Sequence, residues 1–197
     1  VGEPGWRLRF RSDEVGTHQV TLHGVIGGTK VSAPSYSVTT EVKHSTQIQI
    51  SGRGFQRDNA PFVPIAYNIA WANRFEELDK YEQWFSKASK AGVNVARVWM
   101  ASWSLGIEWT DTGLGDYTRR LDRAWILDQV FAIAGKYNVG IDLVLINHGA
   151  FSISTNPEWY SNPYNSSNGG PIAGASEFAT NEIAWKFWER RLRYIVA

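Results

Sequence analysis

The chain has 197 residues, with 20 Lys and Arg against 19 Asp and Glu, so its formal charge of +1 offers no cationic surface for nucleic acid or an acidic membrane. A hydrophobic content of 43% supplies a core and rules out wholesale disorder, and no apolar run approaches the roughly 20 residues of a membrane span. Cysteine is absent, which removes disulfides, thiolate metal sites and cysteine nucleophiles together, whereas ten tryptophans require a reason.

Residues 1–52 read as a β domain. Trp6-Arg7-Leu8-Arg9-Phe10 and Gln19-Val20-Thr21-Leu22-His23 alternate apolar and polar, with the turn-rich Ser12-Asp13-Glu14-Val15-Gly16 between them. Ile26-Gly27-Gly28-Thr29 is a further turn, and 37–42 and 47–50 are further short strands. Four or five short strands with close turns predict part of an antiparallel sandwich, small for a complete one.

From residue 53 the pattern changes to alternating strand and helix. The apolar run 61–67 predicts a first strand, followed by a helix over 76–90 with Leu78, Tyr81, Phe85 and Ala88 on one face and Gly92 closing it. Val93 to Met100 predicts a buried second strand. A helix over 121–137 carries Leu127, Val130, Phe131 and Ala134, and 139–146 is a near-continuous third strand. A last helix begins near 176–180, with Ala184, Phe187, Trp188, Leu192 and Ile195 on one stripe. Apolar strands separated by amphipathic helices predict a parallel sheet covered by helices. Either a doubly wound sheet or the first part of a (β/α)8 barrel would fit, but both nucleotide-binding glycine motifs are missing, which favours the barrel. The fold class is therefore α/β, the first part of a (β/α)8 (TIM) barrel over 53–197, preceded by a small, truncated β-sandwich over 1–52.

In such a barrel the chemistry sits at the C-terminal strand ends. There the sequence places Asn68, Trp71 and Asn73 after strand one; Arg97, Trp99, Trp103, Glu108 and Trp109 at strand two; and Asn147 and His148 after strand three. A loop of nearly thirty residues follows, with Asn156-Pro157-Glu158-Trp159-Tyr160, Asn162-Pro163-Tyr164-Asn165 and Asn168-Gly169-Gly170-Pro171. Flat indole faces stack on the C–H faces of sugar rings, while amide and guanidinium groups take hydroxyls. The candidate substrate-binding set is therefore Asn68, Trp71, Trp99, Trp103, Trp109, Asn147 and Trp159. The alternative for these Trp is filling of the barrel top, and Trp84, Trp125, Trp185 and Trp188 fall on helices where core packing accounts for them. A guanidinium inside Val95-Ala96-Arg97-Val98-Trp99 needs acidic or polar partners. Arg97 would hold a carboxylate ionised at the barrel mouth, or pair internally with Asp142. His148 reads either as a site group or as a satisfied core histidine. The four histidines (18, 23, 44 and 148) have no ligand-like spacing, so no metal or other cofactor is expected.

Phe62-Val63-Pro64-Ile65-Ala66-Tyr67-Asn68-Ile69-Ala70-Trp71, Ala91-Gly92-Val93-Asn94-Val95-Ala96-Arg97-Val98-Trp99-Met100 and Leu145-Ile146-Asn147-His148-Gly149 resemble the opening strands of cellulase-like glycoside hydrolases, the family 5 type of clan A. Trp6-Arg7-Leu8-Arg9-Phe10-Arg11-Ser12-Asp13-Glu14-Val15-Gly16-Thr17 resembles the small immunoglobulin-like domain that often precedes such barrels in bacterial proteins. The resemblance implies a retaining hydrolase of β-linked poly- or oligosaccharides, secreted, cell-surface or periplasmic. Its acid/base and nucleophile glutamates, about 5–5.5 Å apart, lie after strands four and seven. By that mapping both follow Ala197, Arg97 and His148 keep supporting catalytic roles, and Glu108 and Glu158 match neither glutamate. Residues 53–197 are too few for a barrel of about 250 residues, so the remainder of the barrel is an expected partner and the chain alone is expected to be inactive. A non-catalytic carbohydrate-binding protein on the same barrel is the alternative, and a purely structural module a third.

Overall fold

The computed structural model describes residues 14–40 and 48–196, which fall into two compact units dividing between residues 46 and 47. In the first unit, β1 (Gly16–Val20) pairs antiparallel with β4 (Tyr36–Thr40), and β2 (His23–Ile26) pairs with β3 (Thr29–Ser32). The tip is the Gly27-Gly28 turn, with both residues at positive φ (56° and 81°), as a two-residue turn of primed type requires. The two pairs continue one another. The Ala33 amide donates to the Leu22 carbonyl at 2.9 Å between them. The register slips by one residue across that gap, from Val20↔Tyr36 to His23↔Ser32, which is the mark of a bulge. The described residues of this unit therefore form one long two-stranded ribbon. The expected strand over 6–10 lies outside the described residues.

The second unit opens with an antiparallel meander of β5 (Gln49–Ser51), β6 (Gly54–Arg57) and β7 (Ala60–Phe62). The sequence boundary expected at 52/53 thus falls inside a hairpin, because β5 is held by β6. The single strand expected over 61–67 is also two elements. Pro64 has no N–H to give a ladder and restricts Val63 before it, so the chain breaks between β7 and β8 (Ala66–Asn68). Asn94 patches the break: its amide donates to the Val63 carbonyl at 2.9 Å and its oxygen accepts from the Ile65 amide at 2.7 Å.

β8, β9 (Val95–Trp99) and β10 (Gly140–Val144) form a parallel sheet in the order β8-β9-β10. The helices α1 (Glu77–Lys90) and α2 (Leu121–Lys136) connect them, and α3 (Glu182–Val196) follows. Acidic Glu77 and Asp79 at the start of α1 and Lys87 and Lys90 at its end match its dipole. Ala96 and Val98 face the helices and join Tyr81, Phe85, Leu127, Val130 and Ala134 in the main core. The fold is thus mixed sheet and helix, of the α/β kind.

Two details depart from the expected pattern. On β9 the side chains alternate: Ala96 and Val98 are buried toward the helices, whereas Arg97, with Asp142 beside it on β10, stands exposed on the other face. Phe131, expected on the core face of α2, is exposed, as are Trp125 and Trp185, so core packing does not account for those two tryptophans. None of the helices among the described residues is long and apolar enough to cross a membrane.

Candidate functional site

The uncovered sheet face carries a polar row. Asn68 on β8 and Asp142 on β10 both stand in register with Arg97 on β9. Arg97 Nε lies 3.7 Å from Asp142 Oδ2, so the internal pairing is the one formed within this chain. Both side chains keep more than half their surface exposed, so the pair carries little desolvation cost and little stability, about 0–1 kcal/mol. At the N-terminal end of this face Ile48 packs against Gly140, where any Cβ would stand 2.8 Å from Ile48 Cδ1.

Two residues beyond Arg97, on the same face of the strand, Trp99 begins an aromatic cluster at the C-terminal strand ends. Its ring centroid is 5.2 Å from that of Trp71, which meets Trp103 edge-on at 5.4 Å. Trp71 and Trp103 are each about two-fifths exposed (41% and 39%), whereas Trp99 Nε1 is buried without a hydrogen-bond partner among the described residues. The β9–α2 connection that holds Trp103 is pinned from beneath. Buried Arg120 donates to the Gly106 carbonyl at 2.8 Å and is held by Asp111, Arg123 donates to the Ser102 carbonyl, and Ser104 Oγ donates to the Ala72 carbonyl at 3.0 Å. An aromatic platform so held is ordered before any ligand arrives, which lowers the cost of binding.

The β10–α3 connection meets this platform through Glu158. Its Oε1 accepts from Asn147 Nδ2 at 2.6 Å and its Oε2 from Ser102 Oγ at 3.1 Å, and its backbone amide donates to the Gly149 carbonyl at 2.9 Å. Gly149 has to be glycine, since a Cβ there would lie 2.6 Å from the Asn156 carbonyl oxygen as well as 2.2 Å from Glu158 Oε1. His148, exposed between Asn147 and Gly149, is carried on this clamped turn.

Other residues of the expected set do not join. Trp159 is 4% exposed and packs with Tyr164, Ile172 and Phe151 in a second small core, so it presents no ring face to a ligand. Trp109 is half-buried in a turn closed by Thr112. The asparagines of the long loop bond the backbone: Asn162 donates to the Ala150 carbonyl at 2.6 Å and Asn165 to the Trp159 carbonyl at 3.1 Å. Asn162 and Asn165 are buried (0% and 5% exposed) and build the loop, so neither presents its amide to a sugar.

A groove of about 460 Å³ lies along β8 and α1, lined by Tyr67, Ile69, Trp71, Trp84, Ala88 and Val93. It follows the edge of the sheet at β8, since Tyr67, in register with core-facing Ala96, and Asn68, in register with Arg97, both line it.

Sequence reasoning missed a second cluster. Glu108 and Arg191, 1% and 2% exposed, approach at 3.9 Å between Glu108 Oε1 and Arg191 Nη1. Burial pushes the Glu108 carboxyl above its ordinary range, against the opposing pull of the Gly115 amide and Arg191, and lowers Arg191. The signal was present: Arg191 sits on the α3 stripe between Trp188 and Ile195, and Glu108 is flanked by Ile107 and Trp109. No protein-family model matches the chain, and no curated protein matches it either.

Proposed function

We propose that this chain is the N-terminal part of a retaining glycoside hydrolase acting on a β-linked poly- or oligosaccharide. In this reading β8, β9 and β10 are the first three strands of a (β/α)8 barrel, and the N-terminal ribbon belongs to an immunoglobulin-like domain. The observation that carries it is the polar row Asn68–Arg97–Asp142 lying beneath the Trp71–Trp99–Trp103 cluster at the C-terminal ends of parallel strands. A barrel turns that face inward and places its chemistry at that end. Trp71 and Trp103 offer ring surface for sugar stacking, and Asn68, Arg97 and His148 offer hydroxyl-directed polar groups.

Hydrolysis on this plan needs one protonated and one ionised carboxyl, about 5–5.5 Å apart, and these come from strands following Ala197. Arg97 then serves to orient and ionise the nucleophile, exchanging its contact with Asp142 for one with that carboxylate. The protein is exported in this reading, because such polysaccharides lie outside the cell. The engagement of Arg97 by Asp142 also suits a non-catalytic carbohydrate-binding protein on the same frame.

Tryptophan fluorescence titrated with cellohexaose, mannohexaose and xylohexaose tests the common core of both readings. A saturable change with at least one sugar, weakened tenfold or more by Trp103→Ala, is expected. No response to any of the three sinks both. Turnover of a β-glycan by the 197-residue chain alone would overturn the placement of the two glutamates.

A further inference from the structure

We propose that Glu108, Tyr117, Tyr164 and Arg191 enclose a binding site for one internal water molecule, which joins the β9–α2 connection, the β10–α3 connection and α3. Each of the four side chains is more than nine-tenths buried. Glu108 Oε1, the Tyr117 and Tyr164 hydroxyls and Arg191 Nε are all buried and have no hydrogen-bond partner among the described residues. Glu108 Oε1 lies 3.9 Å from Arg191 Nη1, and Tyr117 and Tyr164 lie near enough to this pair to act on its charges. Four unsatisfied polar atoms gathered in one interior place are rare, and each would carry a desolvation penalty if left so.

The remaining atoms of these groups are already engaged, so the cluster cannot simply rotate to satisfy itself. Glu108 Oε2 accepts from the Gly115 amide at 2.8 Å, and Arg191 Nη2 donates to the Leu145 carbonyl at 2.7 Å. The Arg191 guanidinium lies over the Trp188 ring, the Tyr117 ring stacks on Tyr194 at 4.5 Å and Tyr164 meets Phe178 edge-on at 5.1 Å.

The donor and acceptor inventory selects the ligand. Arg191 Nε can only donate, ionised Glu108 can only accept, and each tyrosine hydroxyl can do either. A cation is repelled by the guanidinium, and an anion by the carboxylate. Water accepts from Arg191 Nε and one tyrosine while donating to Glu108 Oε1 and the other tyrosine, which uses all four of its bonds. Buried waters with about three such partners are ordinary structural parts of proteins. Because Glu108 and Tyr117 belong to the connection that carries Trp103, and Tyr164 to the one that carries Glu158, this water fixes both mouth connections to α3.

A crystal structure of the 197-residue chain tests the assignment independently of any saccharide. A single peak refining as water, about 2.6–3.2 Å from at least three of the four atoms, is the expected result. Direct closure of the side chains on one another, or a peak that refines as an ion, overturns it. In solution the Arg191 Nε proton should show a water cross-peak with the sign of a bound, slowly exchanging molecule. A cross-peak of the opposite sign, or none while the Nε proton itself is observed, counts against the site.

Discussion

Glu158 accepts the Asn147 side-chain amide at 2.6 Å, and with its other oxygen reaches the Ser102 hydroxyl on a different connection. One carboxylate thereby couples the turn carrying His148 to the loop carrying Trp103. Glutamine can still accept from Asn147 and offer its amide to a rotated Ser102 hydroxyl, whereas alanine leaves Asn147 without its acceptor. Glu158→Gln is therefore expected to cost under about 1 kcal/mol and Glu158→Ala about 1–3 kcal/mol in urea unfolding. Equal costs would show that the two hydrogen bonds do not hold the connections.

The long loop depends on backbone approach at Gly170, where a Cβ would stand 2.2 Å from the Pro163 and Tyr164 carbonyl oxygens. Backbone cannot yield as a flexible side chain can. Gly170→Ala should cost about 1–3 kcal/mol or more, read as a lowered Tm, and should raise hydrogen exchange at Ile172 and Ser166, whose amides close the loop on Tyr164 and Ile172.

Asp111 grips Arg120 beneath the aromatic platform. Partial burial opposes its ionisation, but hydrogen bonding and attraction from Arg120 outweigh this and hold its carboxyl below the usual range. A depressed folded value means the contribution is present above the unfolded Asp value of about 3.9 and is lost as pH falls through the lower folded value. The stability gap between wild type and Asp111→Asn, measured by urea unfolding, should be positive at neutral pH and shrink in that acid window. A gap independent of pH would assign the contact to packing.

Arg97→Ala separates structure from ligand binding. The exposed pair with Asp142 predicts a change of at most about 1 kcal/mol in stability. A tenfold or greater loss of hexasaccharide affinity in a variant of unchanged Tm would place Arg97 in the site, whereas unchanged affinity would leave it a surface ion pair.

The order of the three helices and of the strands β9 and β10 was readable from residues 53–197, because periodicity reports burial directly, whereas the β5–β6–β7 meander was not. Tyr81 and Phe85 on α1, and Leu127, Val130 and Ala134 on α2, lie where their spacing puts them. Pro64 was also in view, yet the break it makes between β7 and β8 was not, since an apolar run looks the same whether it pairs with one neighbour or two.

Residue type told less about the tryptophans and asparagines, for a physical reason. An indole face or a carboxamide serves a ligand or a neighbouring backbone equally well, and which it meets depends on chain segments far away in sequence. Trp71, Trp99 and Trp103 came together at the strand ends, whereas Trp159 was drawn under Phe151. Asn162 and Asn165 turned to carbonyls within their own loop. Glu108 and Arg191 are 83 positions apart, and only the packing of α3 against the β9–α2 connection made them a buried pair. The sequence by itself determined the elements and their apolar faces, because those follow from neighbours three or four residues away. Tertiary structure alone decided which polar and aromatic groups stayed free for a ligand, because that choice is made by contacts between distant segments.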